Sequence, residues 1–339
     1  MKILVPGKLI LSGEHAVVYG QPALAMAVNR YVTVSAARHF LPFVSFDLRD
    51  YAYHSRLSFS ALQHLKNRIK EKYQRFLQGE FKIRDVLQKP VELAQFALTL
   101  FFEMVNIKLT QGIKIRLESD IPIGCGMGSS AATVLGVIHA IAHHLKMDLS
   151  QDIFYRLGLA AENMQHGFSS GLDLRVAMQG GCLYMHRENV FPRAVPQQKL
   201  YLVNTGIPQT STGECVSVVA PFFKDSHLGE DFSAVTNTID LAFQQNNFSQ
   251  LQQGIHANHR LLNTIGVVPL RVQHFIDEIQ TLGGAAKICG AGAVRGNNAG
   301  IVLVVIEEES LLQTLCARYA YEYFPAVGET QGVRVVVNE

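Results

Sequence analysis

Apolar and charged positions alternate over Ile113-Lys114-Ile115-Arg116-Leu117, the two-residue period of a half-buried strand. The same period, or a short apolar run rich in β-branched residues, predicts strands over residues 28–37, where Val32, Thr33 and Val34 adjoin, and over 44–48, 182–185, 200–203 and 301–306. At the start, Ile3-Leu4-Val5 reads as a short strand running into Pro6-Gly7-Lys8, with a second apolar run, Leu9-Ile10-Leu11, behind it. Helical spacing takes over at 61–81, and again at 91–105, where Leu93, Phe96, Leu100 and Phe101 make one face. The apolar stretch 133–141 predicts a buried helix, 242–254 a polar one, and 311–323 a helix before a closing strand carrying Val333, Val335 and Val337. No internal repeat or linker interrupts the first hundred residues.

Length and composition set the scale of this mixture of strands and helices. At 339 residues the chain has room for about two domains. Apolar residues at 48% and charged ones at 17% supply a large core and argue against extended disorder. Lys plus Arg number 30 against 28 for Asp plus Glu, so no bulk charge points to nucleic acid or an anionic membrane. The basic positions in 61–81 (Lys66, Arg68, Lys70, Lys72, Arg75) read as a solvated helix face. Cys125, Cys182, Cys215, Cys289 and Cys316 are scattered without metal spacing, as free thiols in a reducing compartment would be. The first apolar run is too short for a signal peptide, and none reaches the roughly 18 residues of a membrane helix. A soluble, cytoplasmic protein is expected.

Candidate chemistry begins between the 113–117 strand and the 133–141 helix, at Pro122-Ile123-Gly124-Cys125-Gly126-Met127-Gly128-Ser129-Ser130-Ala131-Ala132. Strand, glycine-dense turn and small-residue helix, in that order, make an anion site. Glycines admit positive φ and let the backbone close on a ligand, while Ser129 and Ser130 suit a helix N-terminus, where free N–H groups and the dipole attract negative charge. A polyphosphate is the natural occupant. No Gly-Lys-Ser/Thr follows, which excludes the P-loop, and the strict alternation of Gly124, Gly126 and Gly128 does not fit G-x-G-x-x-G.

Phosphoryl transfer also needs a divalent metal, positive charge on the moving group and a residue to align the attacking hydroxyl. Glu162 and Asp173, eleven positions apart across a glycine-rich turn, can divide two carboxylate roles: one holds Mg²⁺, the other accepts a hydroxyl proton. Lys8, Glu14 and His15 gather near glycine turns at strand ends, where catalytic groups are often mounted. Taken singly, each has a blander reading. Lys8 and Glu162 could be solvated, His15 a core histidine, and Asp173 a turn residue or helix cap. The adjacent His143 and His144 are not a metal pair, because helical neighbours point about 100° apart.

Three stretches resemble the signatures of the GHMP kinases. Residues 6–25, PGKLILSGEHAVVYGQPALA, are similar to the first signature in its mevalonate-kinase form, the phosphate loop to the second, and residues 283–292 to the third. The run Glu162-x-x-x-His166-Gly167-x-x-Ser170-Gly171-x-Asp173 matches the same branch. This resemblance implies an α+β, two-domain GHMP kinase fold. Residues 1–190 would be the N-terminal, ATP-binding phosphate-loop domain, and 191–339 a ferredoxin-like C-terminal domain. It also implies ATP and Mg²⁺ as cofactors and phosphorylation of mevalonate to 5-phosphomevalonate. Gly124, Cys125, Gly126, Met127, Gly128, Ser129 and Ser130 would wrap the phosphates. Ser130 and Glu162 would hold the metal. Asp173 would be the catalytic carboxylate, kept ionised by Lys8, which would also stabilise the charge developing on the transferred group. Glu14, His15 and Thr212 would contact the substrate, and homodimers are common among members.

Alternatives are another small alcohol (phosphomevalonate or a sugar), or a catalytically silent sensor on the same fold. The match departs at Phe168-Ser169, where relatives have a small or polar residue and then Pro. Gln209 stands where many animal members have Arg, and residues 293–300 replace the usual glycine run. Arg295, in that last stretch, either reaches toward the phosphates or faces solvent.

Overall fold

The computed structural model describes residues 1–224 and 227–337. Its first part contains β1 (Lys2–Ser12), β2 (Ala23–His39), β3 (Phe43–Leu48), β4 (Tyr53–Ser58), α1 (Phe59–Leu77), α2 (Glu92–Met104), β5 (Gly112–Ser119), α3 (Ser129–His144), α4 (Gln151–His166), α5 (Leu172–Gln179), β6 (Cys182–His186) and β7 (Asn189–Arg193). The second contains β8 (Tyr201–Asn204), α6 (Thr212–Lys224), α7 (Leu228–Gln244), α8 (Phe248–Thr264), α9 (Leu270–Thr281), β9 (Ala285–Ile288), β10 (Ile301–Val305), α10 (Glu309–Tyr319), β11 (Glu322–Pro325) and β12 (Arg334–Val336).

Two sheets organise these elements. The larger runs β12-β1-β2-β5-β3-β4, with β6 also on β2 and β7 on β6. Only β3 and β5 pair in parallel among its strands. The smaller, β11-β8-β10-β9, is antiparallel throughout. Its β-α-β-β-α-β order, with several helices in the first crossover, is ferredoxin-like. The tail crosses back: β12 pairs with β1, so the last strand lies on the first sheet, on the other side of the 190/191 boundary.

Several elements differ from the pattern in the sequence for identifiable reasons. The two apolar runs at the start form one strand, β1, whose pairing with β2 shifts register between Pro6 and Gly7. Proline donates no ladder bond and sits at such an irregularity without loss. Strand β2 begins five residues early, at Ala23, because Ala-Leu-Ala-Met-Ala is buried throughout, and burial overrides weak strand propensity. Helix α1 covers 59–77 and not 61–81. Ser58 caps its start by accepting from Ala61 N at 3.1 Å, and Gly79 (φ 79°) lies just past its end. Its basic face is solvated as expected, with Arg68, Lys70 and Arg75 about half exposed, and is also paired: Arg68 meets Glu92, Lys66 and Lys70 meet Glu103, and Arg75 meets Glu80. Helix α10 stops at Tyr319, where Ala320 turns left-handed (φ 56°), and the expected last turn becomes strand β11.

Candidate active site

The phosphate loop joins β5 to α3. Its glycines all take positive φ: 72° at Gly124, 88° at Gly126 and 74° at Gly128. Gly128 is the N-cap of α3, so Ser129 and Ser130 are the first helical residues. The first helical bond runs from Ala132 N to Gly128 O at 3.0 Å, which leaves the three preceding N–H groups at the positive end of the helix without intrahelical partners. Cys125 and Met127 are buried, so they anchor the loop while their backbone shapes it. Burial pushes the Cys125 thiol up to about 11, which keeps it unreactive near neutral pH.

The loop is clamped from both sides by backbone. A Cβ on Gly126 would lie 2.8 Å from the Cys289 carbonyl oxygen, so the glycine is needed for contact as well as for φ. On the other side, Gly7 of β1 lets Met127 approach, and Lys8 N donates to Met127 O at 3.0 Å. The Cys125 carbonyl accepts from Ile301 N at 3.1 Å. First strand, phosphate loop and third glycine segment therefore meet in one place.

Lys8 projects into this junction. Its Nζ donates to the Gly126 carbonyl at 3.0 Å and lies 3.2 Å from Asp173 Oδ2. Lys8 is buried, whereas the Asp173 side chain keeps about a quarter of its surface (26%), enough for a ligand to reach it. Asp173 stands in the first turn of α5, behind the left-handed Gly171. One ammonium thus ties the phosphate loop to a carboxylate more than forty residues further along the chain.

Beside them, Ser130 Oγ is 3.1 Å from His166 Nε2, and that nitrogen is 3.6 Å from Glu162 Oε2. Glu162 is buried and its Oε1 has no partner. Desolvation pushes its carboxyl above the usual range; His166 and the Ser130 hydroxyl work against this, while Asp173 adds to it. A hydroxyl and an orphaned carboxylate oxygen are hard donors that fit Mg²⁺. Among the described residues no three His, Cys, Asp or Glu converge as a ready-made cage. His166 lay within the quoted motif, yet its position between the two oxygens was not legible there.

Glu14 and His15 occupy a strained turn. His15 has φ 61° and ψ −53°, and Ala16 N donates to Glu14 O at 2.6 Å, which defines a γ-turn of the rare, strained sense. Such a conformation costs about 1–3 kcal/mol and persists only where its surroundings hold it. Here Glu14 Oε1 pairs with Lys287 of β9, both side chains fully buried, and His15 Nε2 meets the Ala291 carbonyl at 3.0 Å. Lys287 lies within the third glycine stretch, 283–292, where the resemblance gives it no role; a lone lysine in an otherwise apolar strand was the signal. Thr212 opens α6 and is exposed. Ser211 and Glu214 cap that helix reciprocally, each side chain accepting from the other's backbone N–H. Arg295, more than half exposed, pairs with Glu214 at 3.4 Å, and Arg84 reaches the same oxygen at 3.3 Å. Gln209 lies against the same loop, since a Cβ on Gly296 would be 2.8 Å from its side chain.

This geometry can be set beside known proteins. Residues 92–181, which contain the phosphate loop, Glu162 and Asp173, match the family model described as the GHMP kinases N terminal domain. A protein of Archaeoglobus fulgidus named mevalonate kinase is 30% identical over 291 residues, 85% of this chain and 87% of its own. One of Methanocaldococcus jannaschii with the same name is 27% identical over 315 residues, 91% and 93% of the two chains. The chain belongs to the GHMP kinases, small-molecule kinases that use ATP. Within that class it falls with the mevalonate kinases, whose length it spans almost completely. The fold agrees with a crystal structure of the Methanococcus jannaschii mevalonate kinase (TM-score 0.77, 24% identity, 97% and 98% coverage). It agrees equally with a Lactococcus lactis galactokinase complexed with galactose (TM-score 0.76, 14% identity, 98% and 94% coverage).

Proposed function

We propose that the protein transfers the terminal phosphoryl group of ATP to the primary hydroxyl of mevalonate, releasing 5-phosphomevalonate and ADP. The observation that carries this reading is the Lys8 ammonium, 3.2 Å from Asp173 and hydrogen-bonded to the phosphate loop at Gly126. Residues 1–190 act as the nucleotide-binding unit and 191–339 as the second unit, apart from β12 and the end of β7 (Asn189–Arg193), which lie on the first sheet.

Gly124 to Ser130, with the free N–H groups opening α3, hold the triphosphate. Asp173 aligns the acceptor hydroxyl and takes its proton as the new O–P bond forms and the bond to the β-phosphate oxygen breaks. Lys8 stabilises the negative charge that grows between donor and acceptor. Glu14, His15 and Thr212 contact the acceptor. Ser130 and Glu162 hold Mg²⁺, which when bound neutralises phosphate charge and orients the triphosphate. Five buried cysteines, none in a disulfide, support a reducing, cytoplasmic setting. Among the described residues no helix is long and apolar enough to cross a membrane.

Release of ADP with mevalonate, phosphomevalonate, galactose and homoserine as parallel acceptors tests the reading. Turnover with mevalonate alone supports it. Preference for another alcohol, or no ADP with any of them, overturns it in favour of a different acceptor or of a silent sensor.

A further inference from the structure

Beyond β11 the chain leaves the second sheet and runs back over the first, between the elements that carry Lys8 and Asp173. Ala27, Gly181 and Glu329 close a ring of three backbone hydrogen bonds there. Ala27 N donates to Gly181 O at 2.8 Å, Gly181 N to Glu329 O at 2.7 Å, and Glu329 N to Ala27 O at 2.9 Å. Ala27 is the residue opposite Lys8 in the β1–β2 ladder, and Gly181 follows helix α5, which carries Asp173. Further along the tail, Val333 N donates to Ala177 O at 2.9 Å, one helical turn beyond Asp173. That bond satisfies one of the carbonyls a helix end leaves without an intrahelical partner. The approach is close enough to exclude a side chain: a Cβ on Gly332 would lie 1.9 Å from the Met178 carbonyl oxygen. Glu329 pins this strap. Its carboxylate accepts from the Tyr31 hydroxyl of β2, from Gln331 N at 2.8 Å and from Arg334 Nη2 at 3.0 Å. The Arg334 guanidinium in turn lies 5.3 Å from the centroid of the Tyr31 ring.

We propose that Glu329 is a positioning residue for the transfer step: by pinning the C-terminal strap to β2 and to the end of α5, it sets Asp173 against Lys8. This rests on the reading of that couple as the reacting pair. Helix α5 is only eight residues long and is bounded by left-handed glycines, Gly171 (φ 76°) and Gly180 (φ 73°), so neither adjoining turn is stiffened by a side chain. Its placement is left to what packs on it. The strap is the contact that reaches both α5 and the strand paired with Lys8, and it touches neither reacting side chain. It also starts from the second sheet, where Ala326 N donates to Leu200 O at 2.8 Å. The separation of 3.2 Å between Lys8 and Asp173 is therefore tied to both sheets. A displacement of about 1 Å at such a pair can cost about 100-fold in rate, although no group that touches substrate has been removed.

The test uses the full chain and four variants, assayed with ATP and mevalonate well below each Tm. Glu329→Ala unpins the strap, and Gly332→Ala pushes it off the Met178 carbonyl from a different position, so either carries the test if the other fails to fold. Each should lower kcat by about tenfold or more and leave the KM for both substrates within about threefold. Glu329→Gln keeps an acceptor oxygen for Tyr31 and Gln331 N and should restore kcat to within about threefold of wild type. Leu312→Ala, in the core of the second unit, should lower Tm without that loss of kcat. Hydrogen exchange gives a readout independent of turnover: in Glu329→Ala and Gly332→Ala the Gly181 amide and the last turn of α5 should exchange about tenfold faster, with α3 unchanged. Undiminished kcat in a folded strap variant overturns the inference alone. So does a loss shared by Leu312→Ala, a loss that falls on KM, or unchanged exchange at Gly181. Wild-type protein that releases no ADP with mevalonate overturns the functional reading and this inference with it.

Discussion

Replacing Lys8 with methionine keeps the unbranched side chain, one atom shorter, and removes its charge. The ammonium sits 3.2 Å from Asp173 Oδ2 and 3.0 Å from Gly126 O, with about 5% of its side-chain surface exposed. At an effective dielectric of about 20, a unit pair at this distance attracts by roughly 5 kcal/mol. Most of that is present before any reaction and does not accelerate it, because only interactions that strengthen in the transition state raise kcat. Removing one fixed donor aimed at developing charge usually costs about 3–4 kcal/mol, or 10²–10³ in kcat. Lys8→Met should therefore lower kcat by that factor and leave the KM for either substrate within about fivefold. The lost Gly126 contact adds about 1–3 kcal/mol of destabilisation, so rates are taken well below a Tm measured on the same sample. A variant that is folded and turns over within tenfold of wild type would refute the reasoning, because Lys8 would then be holding Asp173 without acting on the reaction.

Glu162→Gln, which exchanges the orphaned carboxylate for an amide, should raise the Mg²⁺ concentration for half-maximal rate at least tenfold; an unchanged magnesium titration would remove Glu162 from the metal site. Gly126→Ala puts a Cβ 2.8 Å from the Cys289 carbonyl at φ 88° and should weaken ATP binding at least tenfold by calorimetry, whereas affinity within threefold would mean the loop has room to shift. His139 stacks on Phe154 at 3.7 Å with Nε2 unpartnered, and burial lowers it to about 4. The unfolded chain therefore binds a proton near pH 6.5 that the folded chain refuses until about pH 4, so stability falls as pH drops through that window. Urea unfolding at pH 7 and pH 5 should show wild type losing up to roughly 2 kcal/mol more than His139→Leu; equal losses would mean the ring is protonated without penalty.

What the sequence carried was local chemistry, and what it hid was contact across the chain. The alternating glycines before Ser129 and Ser130 specify positive φ and a helix start by themselves, and the structure has both. The 113–117 strand was legible because its alternation survives half-burial, while Ala23 to Ala27 was not, since alanine has no strand preference until both faces are covered. Strand β12 is three residues long and depends on β1, more than three hundred positions away. Lys287 and Glu14 are 273 positions apart, and a salt bridge leaves no periodicity. The His15 strain was invisible for a different reason: nothing in Gly-Glu-His-Ala requires positive φ at the histidine, and contacts from Lys287 and Ala291 hold it there.

The account stands on the chemistry of one transfer. Mevalonate incubated with ATP, Mg²⁺ and the protein, followed by ³¹P and ¹³C NMR of the product, measures it directly. The account predicts stoichiometric ADP and a phosphate ester on the primary carbon of mevalonate, lost when Asp173 is changed to Asn. A phosphate on the tertiary hydroxyl, or ester formation undiminished in Asp173→Asn, would contradict it.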